Sequence, residues 1–174
     1  MWDFFETVRH RHSIRHYQAD MPVEPEKLHA ILEMACAAPS AGDLQSYHIT
    51  VVSERTQREA LRRAAAGQAF VAEAPVCLVF CADPDRSART FGQRGRELYA
   101  LQDATIAAAY AQLAAVAAGM GSTWVGDFDE AAVRAVIGAG AGLVPVALIC
   151  VGYPAELPEE TPRRPLDEVV TYLK

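Results

Sequence analysis

A single domain that mixes helices with a few buried strands is the fold class this sequence predicts, and three observations predict it. The 174 residues fit one hydrophobic core, with 51% hydrophobic and 22% charged residues and no low-complexity tract. Two continuous apolar runs, residues 76–81 and 145–151, suit strands covered on both faces. Between them, residues 97–118 form an alanine-rich stretch with few charges, the pattern of a helix at the centre of a protein.

Residues 2–10 read as a short helix with Phe4, Phe5 and Val8 on one face. Met21, Pro22 and Val23 are extended. Pro25 opens a second helix, since proline is favoured at a first helical position, and Leu28, Ile31, Leu32 and Ala35 follow the helical stripe. This helix must end before Pro39, because the residue preceding a proline is pushed out of the helical region. Residues 47–52 are strand-like, and 55–66 form a helix with a basic face at Arg58, Arg62 and Arg63. Asp83-Pro84-Asp85 closes the first apolar run. The polar stretch 87–96, with two glycines, is expected to be a mobile loop that shapes a substrate mouth. In the helix over 97–118, Gln102, Asp103, Tyr110 and Gln112 interrupt any membrane span. Its small alanines let another helix approach closely, so it is expected to be buried and to help make a dimer. Gly119-Met120-Gly121 stops it, 122–125 is a short strand, and Gly126-Asp127-Phe128 is a turn. Asp129 is a good N-cap for a helix over 130–137, which Gly138 ends. After Gly152-Tyr153-Pro154 the chain becomes rich in proline and glutamate, and its apolar end is expected to lie across a partner subunit.

Several function classes are disfavoured. A net charge of -6 argues against general nucleic-acid or anionic-membrane binding. Cys36, Cys77, Cys81 and Cys150 all sit in apolar runs without a C-x-x-C spacing, as buried thiols of a reducing compartment do. The first residues lack the basic start and long apolar stretch of a signal peptide, so a cytoplasmic protein is expected. Gly138-Ala139-Gly140-Ala141-Gly142 follows a helix and precedes a strand, the reverse of a dinucleotide fingerprint. The five histidines show no metal-ligand spacing, so no metal is expected. Ser40, Asp43 and His48 raise a hydrolase reading, but Ser40 has no G-x-S-x-G elbow.

Two polar clusters remain. Arg11-His12-Ser13-Ile14-Arg15 offers fixed positive charges and a hydroxyl, and guanidinium forks suit phosphate. Arg163 and Arg164 form a second basic doublet near the other end. The arginines are either surface salt-bridge partners or the two halves of one anion site. Ala38-Pro39-Ser40-Ala41-Gly42-Asp43-Leu44-Gln45 is a loop of small and amide residues that lets a flat ligand approach the backbone.

The order of these blocks resembles the FMN-dependent nitroreductase family over nearly the whole chain. Arg11 to Tyr17 resembles the family's R-[RH]-S-x-R-x-[FY] opening, and the Ala38 to His48 block its A-P-S-x-x-N-x-Q-P-W-H. Gly119 to Phe128 resembles G-x-G-x-x-W-x-G-x-F, and the strand ending at Pro154 with Arg163-Arg164-Pro165-Leu166 resembles the closing strand and tail. The resemblance implies an α+β fold: a three-layer sandwich with a central mixed β-sheet flanked by helices and a long central helix at a homodimer interface. Residues 1–174 would form one domain, with about 155–174 an extended arm embracing the partner.

By the same resemblance, Arg11, His12 and Ser13 hold the phosphate and ribityl chain of FMN, with Arg163 and Arg164 adding charge. Arg15 lies nearer the ring, at its N1/O2 edge, where a cation stabilises the reduced form. Pro39, Ser40, Ala41 and Gln45 come from the other subunit, Asp43 places a charge near the flavin, and Gln68 lies near the pyrimidine edge. Backbone N–H groups of Gly126 and Asp127 face flavin N5 and O4, and no side chain serves as a catalytic acid or base. The implied activity is an oxidoreductase in which NAD(P)H reduces the flavin and leaves. An electron-poor acceptor of the nitroaromatic, quinone or enone class then takes its place. The alternative is a flavin-binding or flavin-sensing protein without turnover. Asp43 stands where the family carries asparagine, and Ser46-Tyr47 replaces Pro-Trp.

Overall fold

Strands that are apolar on both sides need a layer of helices on each face, and the chain supplies both. A computed structural model describes residues 3–158 and 161–173. The expected helix start at Trp2 and tail positions 159, 160 and 174 lie outside the described residues.

Helix α1 (Phe4–His10) is fixed by a capping box between Asp3 and Glu6. Helix α2 (Pro25–Cys36) begins at its proline and ends ahead of Pro39. A 3-10 turn (Ala41–Asp43) leads into β1 (Tyr47–Val52). Helix α3 (Arg55–Ala64) stops short of residue 66, because Ala66 and Gly67 turn the chain with φ of 53° and 77°. A one-turn helix α4 (Phe70–Glu73), too short to show a periodic stripe, precedes β2 (Val76–Ala82).

The expected loop at 87–96 is instead helical. Helix α5 (Pro84–Arg94) starts at a proline and is capped by the Asp83 carboxylate, which accepts from the Arg86 amide at 3.0 Å. Gly92, at φ 57°, breaks its regularity, and a π-helical turn (Gly95–Tyr99) joins it to α6 (Ala100–Ala117). The glycines that suggested a loop are there for that kink and for packing. A Cβ on Gly95 would lie 2.6 Å from the Ser87 carbonyl oxygen.

Strand β3 (Gly121–Val125) follows, then α7 (Glu130–Ile137), capped by Asp129 and ended by Gly138 in the left-handed region at φ 63°. Strand β4 (Val144–Gly152) and the short tail helix α8 (Leu166–Val169) complete the order. The sheet runs β1-β2-β4-β3, and all its strand pairings are antiparallel. The sheet is therefore antiparallel throughout rather than mixed as expected, because each neighbouring strand runs back along the one before it; the one parallel pairing, between Ser13 and Ser122, is an isolated bridge outside the strands.

Alternation along β2 and β4 divides the core. Cys77, Val79, Cys81, Leu148 and Cys150 face α3 and α7, packing with Leu61, Ala65 and Val133. Leu78, Phe80, Ala147, Ile149 and Val151 face α2 and α6, packing with Ile31, Ala35, Ala107 and Ala111. Each fully buried aliphatic side chain contributes roughly 1.5–3 kcal/mol. The alanines of α6 let it lie close to the sheet, while its outer side leaves Leu101 and Tyr110 exposed at 46% and 40%. Among the described residues no helix is long and apolar enough to cross a membrane.

Candidate functional site

The first basic cluster is built against the edge of the sheet. After α1 the chain turns extended at Arg11, whose amide donates to the Thr7 carbonyl at 3.1 Å. The next residues run beside β3: the Ile14 amide donates to the Ser122 carbonyl at 3.0 Å, and the Thr123 hydroxyl donates to the Ile14 carbonyl. This close approach needs Gly121, since a Cβ there would lie 2.5 Å from Ile14 Cγ1. Tyr17 anchors the far end in the core. Its hydroxyl donates to Thr123 Oγ1 and to the Cys150 carbonyl, each at 3.3 Å. With Ile14 and Tyr17 turned inward, Arg11, His12, Ser13 and Arg15 line a cavity of about 580 Å³ on the outer side.

The start of the tail forms the opposite wall. Tyr17 bridges Pro154 in antiparallel fashion, and the Ala155 amide donates to the His16 carbonyl at 2.9 Å. The chain then leads Glu156, Thr161 and Arg163 into the same cavity. Burial, and next the positive charge of Arg163, lower the proton affinity of the Arg11 guanidinium. Cations held this close in a partly desolvated cleft suit an anionic ligand, and the forked donors of arginine suit phosphate. Arg164 does not line the cavity; its side chain is taken up by Glu168, 3.1 Å away.

The second cluster lies elsewhere on this chain and does not line the cavity. Its shape comes from left-handed backbone at Gly42, Asp43 and Gln45, with φ of 58°, 55° and 47°. Pro39 precedes the loop as an exposed residue. Ser40 Oγ accepts from the Gln45 amide at 2.9 Å, and Gln45 Nε2 donates to Asp43 Oδ1 at 2.8 Å. Ser40 is thus engaged by the loop's own backbone, and the hydrolase reading has no support in its contacts. Helix α5 packs on this loop: Arg86 Nε donates to the Leu44 carbonyl at 2.5 Å, and the Phe91 ring occupies the space beside Gly42.

One residue that shapes this loop escaped the motif reading. The Asp103 carboxylate, 1% exposed, accepts from the Ala41 amide at 2.9 Å and from the Ser46 amide at 3.2 Å. Its signal was present, since Asp103 is the one charged residue in α6. Glu156 carries a weaker signal among the other acids of the tail. Gln68 sits in the turn between α3 and α4, its side chain donating to the Ala65 carbonyl at 3.1 Å. Gly126 and Asp127 are exposed just beyond β3. Neither these nor Gln68 lines the cationic cavity.

The sequence matches the Nitroreductase family over residues 8–75 and 62–153, and the chain belongs to that family. It is 36% identical over 189 residues to an NADH dehydrogenase of Thermus thermophilus, covering 93% of this chain and 92% of that protein. It is 32% identical to the oxygen-insensitive NADPH nitroreductase of Salmonella typhimurium, covering 91% of this chain and 68% of that one. Its fold superposes on the NADPH:FMN oxidoreductase of Vibrio harveyi complexed with NAD+ with a TM-score of 0.88, at 30% identity, over 98% of this chain and 76% of that chain. The expected three-layer α+β sandwich is therefore the architecture of its relatives as well.

Proposed function

We propose that this protein is an FMN-dependent NAD(P)H oxidoreductase of the nitroreductase type whose cavity at Arg11, Ser13 and Arg163 holds the cofactor phosphate. The observation that carries this reading is the convergence of arginines from both ends of the chain on one cavity, where burial, and after it the charge of Arg163, lowers the proton affinity of Arg11. The electron donors and flavin in the names of its relatives support the same class.

When bound, FMN supplies the two-electron redox centre, so the side chains are left with binding and orientation. Arg11, His12 and Ser13 take the phosphate and ribityl chain, with charge added by Arg163 and, after release from Glu168, Arg164. Arg15 favours negative charge at the pyrimidine edge of the ring, near which Gln68 also lies. Backbone N–H groups of Gly126 and Asp127 orient the ring, while Pro39, Ser40, Ala41, Asp43 and Gln45 reach it from a second subunit. Helix α5, packed on that loop, walls the acceptor side, where a small electron-poor nitroaromatic, quinone or enone replaces the spent donor.

A homodimer of one-domain subunits completes this arrangement. Two features support it: the exposed apolar residues Phe4 and Phe5, each 67% exposed, and an arm from about residue 155 that leaves Leu166, Tyr172 and Leu173 uncovered. Four free cysteines suit a cytoplasmic setting.

The test is the absorbance spectrum of the purified protein, followed by anaerobic addition of NADH or NADPH. A flavin spectrum that the donor bleaches, and an electron-poor acceptor restores, is expected. Colourless protein that rejects added FMN overturns the reading, and a yellow protein that no donor bleaches favours a flavin-binding role without turnover.

A further inference from the structure

Glu156 is the one acidic side chain lining the cationic cavity among the described residues. Its carboxylate has a fixed position: Oε1 accepts from the Arg15 amide at 2.6 Å and from the His16 amide at 3.1 Å. The backbone around it is paired as well, the Ala155 amide with the His16 carbonyl at 2.9 Å and the Gln18 amide with the Tyr153 carbonyl at 2.9 Å. Glu156 is therefore held in the cavity by an extended pairing of two segments and by two donors of its own. It lines the same cavity as Arg11, His12, Arg15, His16 and Arg163, the His16 ring also meeting Glu73 at 3.7 Å.

We propose that Glu156 is a built-in counter-anion that limits how tightly this cavity holds phosphate-bearing ligands. The proposal rests on the flavin reading for the identity of the ligand, and on the geometry alone for the sign of the effect. The carboxylate does two things. It occupies two backbone N–H groups that point into an anion site, and it offsets one positive charge of the cluster. Both reduce the attraction for a dianionic phosphate, and neither touches a ligand that lacks one. The hold on FMN is thereby set to permit exchange, and the cost falls on the phosphate rather than on the ring.

Glu156→Gln isolates the charge, because the amide oxygen can still accept from Arg15 and His16. Dissociation constants for FMN, riboflavin and inorganic pyrophosphate are measured by calorimetry on wild type, Glu156→Gln and Glu156→Ala at fixed ionic strength, with thermal melts to check folding. The expected result is FMN and pyrophosphate binding tightened by roughly three- to tenfold in Glu156→Gln, with riboflavin unchanged. The preference for FMN over riboflavin should rise in Glu156→Ala as well. An FMN preference that stays level or falls in either folded variant overturns the proposal, as does a failure of both variants to fold, which would make Glu156 a folding residue. If wild type takes neither flavin, the flavin reading has failed, and the pyrophosphate series alone decides the role of Glu156.

Discussion

Arg11 and Arg163 face one cavity from opposite ends of the chain, and Arg163 adds to burial in lowering the proton affinity of Arg11. Like charges are held together without a ligand only at a cost, so an anion between them should stabilise the fold as well as bind. Arg11→Ala is expected to weaken FMN binding by about 1.5–3 kcal/mol, the range for a charged hydrogen-bonding partner. Arg11→Lys should recover the charge but not the fork, and should fall between. Thermal melts of wild type with increasing FMN should rise in midpoint by mass action, and less steeply in Arg163→Ala. Identical midpoint shifts in all three variants would remove these arginines from the site.

Asp103 offers a test of the second cluster that needs no cofactor. Its buried carboxylate receives two backbone N–H groups across the 41–46 loop. Asp103→Ala leaves both donors without a partner and should cost about 2–5 kcal/mol in urea unfolding. Asp103→Asn keeps one acceptor but turns an NH2 toward the other donor, so an intermediate loss is expected. Limited proteolysis should cut the loop faster in both variants. A stability within about 0.5 kcal/mol of wild type in Asp103→Ala would show that the loop holds itself.

The burial of neutral acids predicts an alkaline limit to stability. Burial is the first cause that raises Cys81 from 9.0 to about 11, and Tyr47 from 10.0 to about 12. Tyr17, buried deeper, is raised further still. Each group is neutral when protonated, so the folded chain holds its protons more tightly than the unfolded chain. The contribution is fully present below the ordinary values of 9.0 and 10.0 and is lost as pH rises through about 11 and 12. Urea midpoints under reductant should therefore decline above about pH 9, and decline less steeply in Tyr47→Phe. Constant midpoints through pH 11 would contradict the burial that these shifts express.

The signals that are legible in the sequence follow the physics of each element. Strands apolar on both faces, proline starts and the glycine stop at Gly138 are local and strong, and they placed β2, β4, α2 and α7. The stretch 87–96 misled because its composition is that of a loop. Its helicity depends on Asp83 capping α5 and on Phe91 and Tyr99 meeting edge to face at 5.2 Å, contacts that composition does not encode. At the cavity, arginines suited to phosphate were visible as residue types. Residue types alone leave open whether they meet; the family resemblance implies it, and the pairing of residues 15–18 with 153–156 brings Arg11 and Arg163 to one cavity. Arg164 shows the limit of the type argument, because a local partner at Glu168 takes its side chain. Asp103 and Glu156 matter for the backbone amides they hold, a role that depends on the folded chain and leaves no fixed spacing in sequence.

The outer side of α6 makes the last prediction. Tyr110 there joins Phe4, Met34, Leu113, Ala114 and Ala117 around an apolar groove of about 440 Å³, and Phe4 and Tyr110 remain 67% and 40% exposed. Water contact over such a patch is unfavourable by about 25 cal/mol for each Å² of apolar surface, which a second subunit would remove. Tyr110→Glu places a charge in that patch without disturbing the inner face, where Ala107, Ala108 and Ala111 pack on the sheet. Light scattering should report twice the chain mass for wild type and a shift toward the single-chain mass for Tyr110→Glu. Far-UV circular dichroism should be retained, because the three-layer core belongs to one chain. FMN binding should weaken with dissociation, since the 39–45 loop is proposed to reach the cofactor from the partner. A Tyr110→Glu protein that stays at twice the chain mass would move the interface away from α6. A single chain that binds FMN as tightly as wild type would instead return the whole site to one subunit.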